Sequence, residues 1–221
     1  MGTTLTRTHR LLCAAVAGSL MFLAAGCSDD TRKEPPDVYV TGDKLCGGRA
    51  VTKDAAKALQ VITGDTRFAA SGKYSTVADA AEELTRETMS SAYERGDICR
   101  IYPDAPVNEL RIRWELDNVI LEGPPHPQFT VLPMGEEAGA AHDKAYVTFV
   151  CGQKDQPDSS PDHISAWAQA TGRPTEPEGD ERPLKNAYAT LAHSFALALA
   201  KELNCDDNGG LKPEPALIPA T

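Results

Sequence analysis

The sequence predicts a single α+β domain over residues 45–205, with two N-terminal helices and one long C-terminal helix packed on one face of a mostly antiparallel sheet of about four strands. Two observations carry this. The apolar residues recur at helical spacing before residue 94 and again after residue 184, and between these stretches they switch to alternation. Cysteines 46, 99, 151 and 205 are spread across the same span, an even set of the kind that cross-links small exported domains.

The first helix is expected over residues 52–63, with Thr52 as its cap, Asp54 in its first turn and Gly64 as its stop. Ala55, Leu59 and Ile62 form its apolar face. The second runs over 77–94 from an imperfect capping box, Thr76 with Asp79, and carries Val77, Ala81, Leu84 and Ala92 before Gly96 ends it. A short strand over 98–102 then turns through Pro103, Asp104 and Pro106. Residues 110–116 alternate strictly, so Leu110, Ile112, Trp114 and Leu116 face a core while Arg111, Arg113 and Glu115 face outward. Further strands fall at 129–132 and 145–151, and short links between consecutive strands imply antiparallel pairing. The last helix covers 184–204, opened by Pro183, with Leu184, Tyr188, Leu191, Phe195, Ala198 and Leu199 in one stripe. His193 lies ~180° from Leu184 on that wheel and is expected to face solvent.

Outside this body the chain has three polar or irregular stretches. Residues 27–44 contain Asp29, Asp30, Pro35 and Pro36 and read as a flexible tether. Residues 206–221, with Gly209, Gly210 and three prolines, read as a disordered tail. Residues 152–182 read as a long loop rich in Pro, Asp, Glu and Ser, in which 164–170 forms a short strand or a turn of helix. Loops above ~12–15 residues in compact domains are usually functional or disordered. Trp167, in the middle of this one, is the candidate partner anchor, with covering a sheet edge as its structural alternative.

The N-terminal 26 residues have three zones: a basic start with Arg7, His9 and Arg10, an apolar run over 11–23, and Ala24-Ala25-Gly26 before Cys27. The uncharged stretch 11–26 is 16 residues long, short of the ~20 a spanning helix needs. It therefore reads as a signal peptide rather than a retained membrane helix, and the lack of paired arginines points to the general secretory route. Leu23-Ala24-Ala25-Gly26-Cys27 resembles the bacterial lipobox, with Ala24 where that motif prefers leucine. The resemblance implies cleavage between Gly26 and Cys27 and a diacylglyceryl group on the Cys27 thiol. Two acyl chains hold a protein on a membrane where one is marginal. The expected location is thus the extracytoplasmic face of the cell membrane. An ordinary cleaved signal, with Cys27 paired to another cysteine, is the alternative.

The formal net charge is −10, and the leader removes two arginines and no acid, leaving −12 on the mature chain. Nucleic acid and anionic headgroups are poor partners for such a surface. A basic partner is compatible with it, and so is acidity that serves only solubility. Of six cysteines, Cys13 leaves with the leader and Cys27 carries lipid, so Cys46, Cys99, Cys151 and Cys205 are expected in two disulfides. Three connectivities are possible. The favoured one, Cys46–Cys99 and Cys151–Cys205, staples a helix end to a strand each time and closes loops of about fifty residues, each stabilising by roughly 4 kcal/mol. A zinc site lacks the close cysteine or Cys/His spacing it would need.

Catalytic signatures are sparse. His126, His142, His163 and His193 survive maturation, none at two-ligand helical spacing from another. His193 and Ser194 are adjacent on a helix and point in different directions. His126 sits in a Gly123-Pro-Pro-His-Pro127 turn, and Gly47-Gly48 lacks the strand and spacing of a phosphate-binding loop. Hydrolase, penicillin-recognising and metalloprotease motifs are absent from the mature chain. Asp155, Asp158, Asp162 and His163 lack the alternation of a calcium loop, so no metal and no cofactor is expected.

A lipobox, a short acidic tether, Leu45-Cys46-Gly47-Gly48 before an Ala-rich helix, Asp97-Ile98-Cys99 opening the sheet, and a last helix ending Glu202-Leu203-Asn204-Cys205 together resemble a broad group of actinobacterial cell-surface lipoproteins of unknown function. The resemblance implies a place more than an activity. The expected function is a non-catalytic binding or accessory module for a protein or envelope ligand. The alternatives are an envelope-directed hydrolase that would use His126, His142 or His163, and a carrier of a small ligand or lipid in a cleft between sheet and helices.

Overall fold

The computed structural model describes residues 39–69, 76–87, 94–103, 109–116, 126–152, 161–171 and 179–219. Gly26 and Cys27 lie outside them, as do Asp155 and Asp158. The class is α+β with antiparallel pairing throughout, as expected, but the expected four strands are half the number present. Eight strands form one sheet in the order β1-β2-β3-β4-β8-β7-β6-β5. They are β1 Tyr39–Thr41, β2 Arg67–Ala69, β3 Glu94–Pro103, β4 Leu110–Leu116, β5 Thr130–Val131, β6 Glu137–Ala140, β7 Lys144–Cys151 and β8 Asp162–Ala170. The helices are α1 Lys53–Thr63, α2 Val77–Glu87 and α3 Arg182–Glu202, with 3-10 segments at Gly42–Gly47 and Asp206–Gly210.

Several expectations need correction. The tether does not reach residue 44, because β1 and the 3-10 segment after it already belong to the fold. The stretch 152–182 is not one long loop. Its centre is β8, nine residues that pair along their length with β4 on one side and β7 on the other. The second helix cannot extend to 94, since Glu94 begins β3. Gly96 is no helix stop either. It sits in β3 opposite Trp114, and a β-carbon there would lie 2.6 Å from the indole Nε1. Gly96 is the floor on which the fully buried Trp114 ring rests, the bulky ring of one strand covering the glycine of the next.

Alternation then sorts the sheet into two faces. Leu110, Ile112, Trp114 and Leu116 of β4 are buried, as are Ala145, Val147 and Phe149 of β7 and Ile164, Ala166 and Ala168 of β8. A register shift between Asp97 and Cys99 lets β3 present Cys99 and Ile101 to the same face while Asp97 stays on the other. α3 lies on this inner face against β6, β7 and β8, α2 bridges β3 and α3, and α1 packs on α3. Many of the contact positions are alanine: Ala166 and Ala168 on β8, Ala189, Ala192, Ala196 and Ala200 on α3. Small side chains let helix and sheet approach closely and leave Phe149, Phe195 and the leucines to fill the remaining space.

Because α1, α2 and the sheet enclose it, α3 is buried on nearly every side from Ala187 to Leu197. This overturns the expectation for His193, which is 3 % exposed. Ser194 beside it is buried too, and its hydroxyl donates to the Ala50 carbonyl at 2.6 Å and accepts from the Thr52 amide at 3.2 Å, tying the start of α1 to α3. The expected disordered tail is packed rather than loose. Gly209 is buried, Leu211 is 5 % exposed, and Ala216 and Leu217 lie against the core.

Both disulfides join the cysteines in the favoured pairing. Cys46–Cys99 ties the first 3-10 segment to β3 with Cα atoms 5.6 Å apart, and Cys151–Cys205 ties the end of β7 to the chain just after α3 at 4.8 Å. The staples therefore join chain beside the helices to strands, on opposite halves of the sheet.

Candidate functional site

All described helices pack on the inner face, so among the described residues the outer face of the central strands carries no second layer. Register sets them in rows. Arg113 of β4, Trp167 of β8, Tyr146 of β7 and Gly139 of β6 stand side by side. The missing side chain at 139 matters, since a β-carbon there would lie 2.7 Å from the Tyr146 ring and 3.0 Å from Phe129. Into that space fold the two rings, which meet edge to face with centroids 5.1 Å apart. Tyr146 in turn stacks on Trp167 at 4.7 Å, and the Arg113 guanidinium lies 5.3 Å from the Trp167 ring on its other side. At the far end the Lys144 ammonium is 5.8 Å from the Phe129 ring. The result is a ladder of three rings capped by a cation at each end. Each ring pair contributes ~0.5–1.5 kcal/mol beyond its burial, and each cation roughly 0.5–1 kcal/mol.

The groups around the ladder are mostly engaged. Glu137 accepts a hydrogen bond from the Tyr146 hydroxyl, and burial followed by that bond pushes the phenol well above its usual range. Asp97 is held on both oxygens by Arg111, at 2.7 and 3.0 Å, while Arg100 donates twice to its Oδ2, at 2.9 and 2.7 Å. Partial burial raises its carboxyl pKa, but the bonds from Arg111 and Arg100 outweigh that and leave it below the usual range. Trp167 is partly buried, and its indole N–H finds no partner among the described residues.

In the sequence Trp167 falls in a stretch that reads as a loop; it stands instead on a central strand, in contact with three side chains from β4, β7 and the chain before β5. Phe129, Lys144 and Tyr146 belong to no motif that marks them as a site in the sequence. The available signal was Tyr146 itself, an aromatic on the outward positions of an alternating strand whose inward positions are Ala145, Val147, Phe149 and Cys151.

The histidines do not converge. The His126 ring Nδ1 accepts from the Gln128 amide at 3.3 Å within an exposed turn. His142 is 4.0 Å from Glu181. His163 is bonded to Glu136 at 2.6 Å, on the outer face of β8. Ser165, two residues along that face, is bonded to Thr148 at 2.8 Å. An acid–imidazole pair and a hydroxyl thus share a face, with the hydroxyl turned to a threonine. His193 is packed under the segment Gly210–Ala216, and burial, offset in part by a hydrogen bond to the Lys212 backbone, favours its neutral form. Among the described residues no group of three His, Cys, Asp or Glu side chains could hold a metal, and no helix is long and apolar enough to cross a membrane.

These features define a class: a doubly disulfide-stapled α+β domain whose one antiparallel sheet is covered by helices on one side and carries an aromatic–cationic ladder on the other. Comparison with protein-family models, with curated proteins and with solved structures finds no match to this chain.

Proposed function

We propose that the chain is an extracytoplasmic lipoprotein held on the membrane through a diacylated Cys27, and that its folded domain is a non-catalytic binding module of the cell envelope. The observation that carries the binding reading is the Arg113–Trp167–Tyr146–Phe129–Lys144 row on the helix-free face. A partly buried tryptophan fixed between an arginine and a tyrosine is the composition and rigidity found at interface hot spots. The ladder is pre-organised by register and by the space at Gly139, so a partner would pay little to order it. The two disulfides support an oxidising, exported setting. The hydrogen-bonded geometry gives less to a hydrolase, since His163 closes on Glu136 and Ser165 on Thr148.

The test is saturable binding of the mature protein to isolated cell envelopes. Trp167→Ala is expected to weaken it about tenfold or more, the scale of a hot-spot truncation. Binding unchanged in a folded Trp167→Ala protein would remove this face from the proposal.

A further inference from the structure

We infer that a second site lies on the other side of the sheet: the cavity between the β5–β6 hairpin, the first turn of α3 and the C-terminal segment binds a small, uncharged, largely apolar molecule. The inference does not rest on the docking face, which belongs to the opposite side of the same strands. The cavity holds about 350 Å³, at the lower end of the ~300–1,000 Å³ typical of ligand pockets.

Its floor is core. Register places Thr130 opposite Ala140, so both point inward with Leu132, and Ala140 and Leu132 are 1 % and 5 % exposed. Leu217, itself packed on the core, forms a wall. Such a floor favours apolar contact and offers nothing to a buried ion.

The rim decides the charge of the occupant. It carries Asp180, Glu181, Arg182 and Lys185, and these are matched among themselves. Arg182 pairs with Asp180 at 3.2 Å and Lys185 with Glu181 at 3.0 Å, while His142 approaches Glu181 at 4.0 Å. An ionic ligand would have to share its counter-charge with one of these pairs. A neutral one leaves them closed and can orient itself on the Thr130 hydroxyl and the Asn186 amide. The cavity of about 380 Å³ beside Cys46 differs in its charged lining, where Arg49 pairs with Glu202 at 3.7 Å and Lys201 adds a further cation.

The probe is N-phenyl-1-naphthylamine, a neutral apolar fluorophore, titrated into the mature protein. The expected result is saturable one-site binding with enhanced fluorescence. Thr130→Trp, which fills the mouth from an edge strand, should weaken binding by about tenfold or more; Trp167→Ala, on the opposite face, should leave it unchanged. Asn186→Trp blocks the same mouth from the helix side and replaces Thr130→Trp if that variant does not fold. No saturable binding, equal binding by a folded mouth-blocking variant, or loss of binding in Trp167→Ala would each overturn the inference. Because the envelope assay reads Trp167 and this one reads Thr130, failure of either proposal is distinguishable from failure of the other.

Discussion

Replacing Cys151 and Cys205 together by alanine is expected to lower unfolding free energy by roughly 4 kcal/mol, read as a shifted denaturant midpoint at an unchanged or slightly larger m-value. The bond closes a chain separation of 54 residues, and the unfolded chain regains that loop entropy when it is cut. Native contacts are lost as well. Cys205 leads into the segment whose Asp206 amide donates to the Gly152 carbonyl at 3.0 Å and whose Gly209 packs beneath Phe149. The companion change at Cys46 and Cys99 releases a separation of 53 residues, nearly the same entropy, but should cost less. Cys46 has φ +53°, a left-handed backbone that a β-carbon resists, and cutting its bond lets that residue relax. Equal losses in the two variants would show that the backbone at Cys46 carries no such strain.

Trp114→Ala should cost about 3–5 kcal/mol, the range for emptying a large aromatic site in a core. Trp114 is 1 % exposed and leans on Gly96 of the neighbouring strand, where no side chain exists to refill the space. Trp114→Phe is the informative partner. Among the described residues the buried indole N–H has no hydrogen-bond acceptor, so phenylalanine removes an unsatisfied donor while keeping most of the apolar contact. Its expected loss is well under half that of alanine, measured in the same unfolding experiment. Comparable losses would mean that ring size, and not the unpaired N–H, governs the site.

How much could be read from the sequence depended on the size of the inward-facing residues. β4 was legible to the residue because Leu110, Ile112, Trp114 and Leu116 are bulky and their alternates are charged. β8 alternates just as regularly, but its inward residues after Ile164 are Ala166, Ala168 and Ala170. Alanine carries little strand preference and a weak hydrophobic signal, and here it is demanded by the close approach of α3. β1, β2 and β5 are two or three residues long, too short for any period to register. His193 reads as exposed because a helical wheel assumes one wet side, and α3 has almost none. The C-terminal segment was misread for a similar reason. Its prolines and glycines mimic a linker, while the residues that dock it, Leu211, Ala216 and Leu217, are too widely spaced to form a pattern. The disulfide pairing is legible because each cysteine flanks a helix or lies in a strand that the sequence pattern marks.

The candidate site was legible only in part. Trp167 stood out as unusual, yet its neighbours on the ladder come from β4, β7 and the chain before β5, brought together by a strand order that places β8 between β4 and β7. No local pattern encodes that insertion. The proposed lipidation at Cys27 is the reverse case, since it is read from five adjacent residues and owes nothing to the fold.

The most direct test of the central proposal is the intact mass of the protein recovered from its native membrane, before and after reduction, with the N-terminal peptide mapped. The account predicts a chain that begins at Cys27, carries a diacylglyceryl group on that thiol, and gains two hydrogens for each of its two disulfides on reduction. A chain that begins elsewhere, or whose Cys27 is unmodified, would contradict the membrane anchor and make a freely secreted domain the better description.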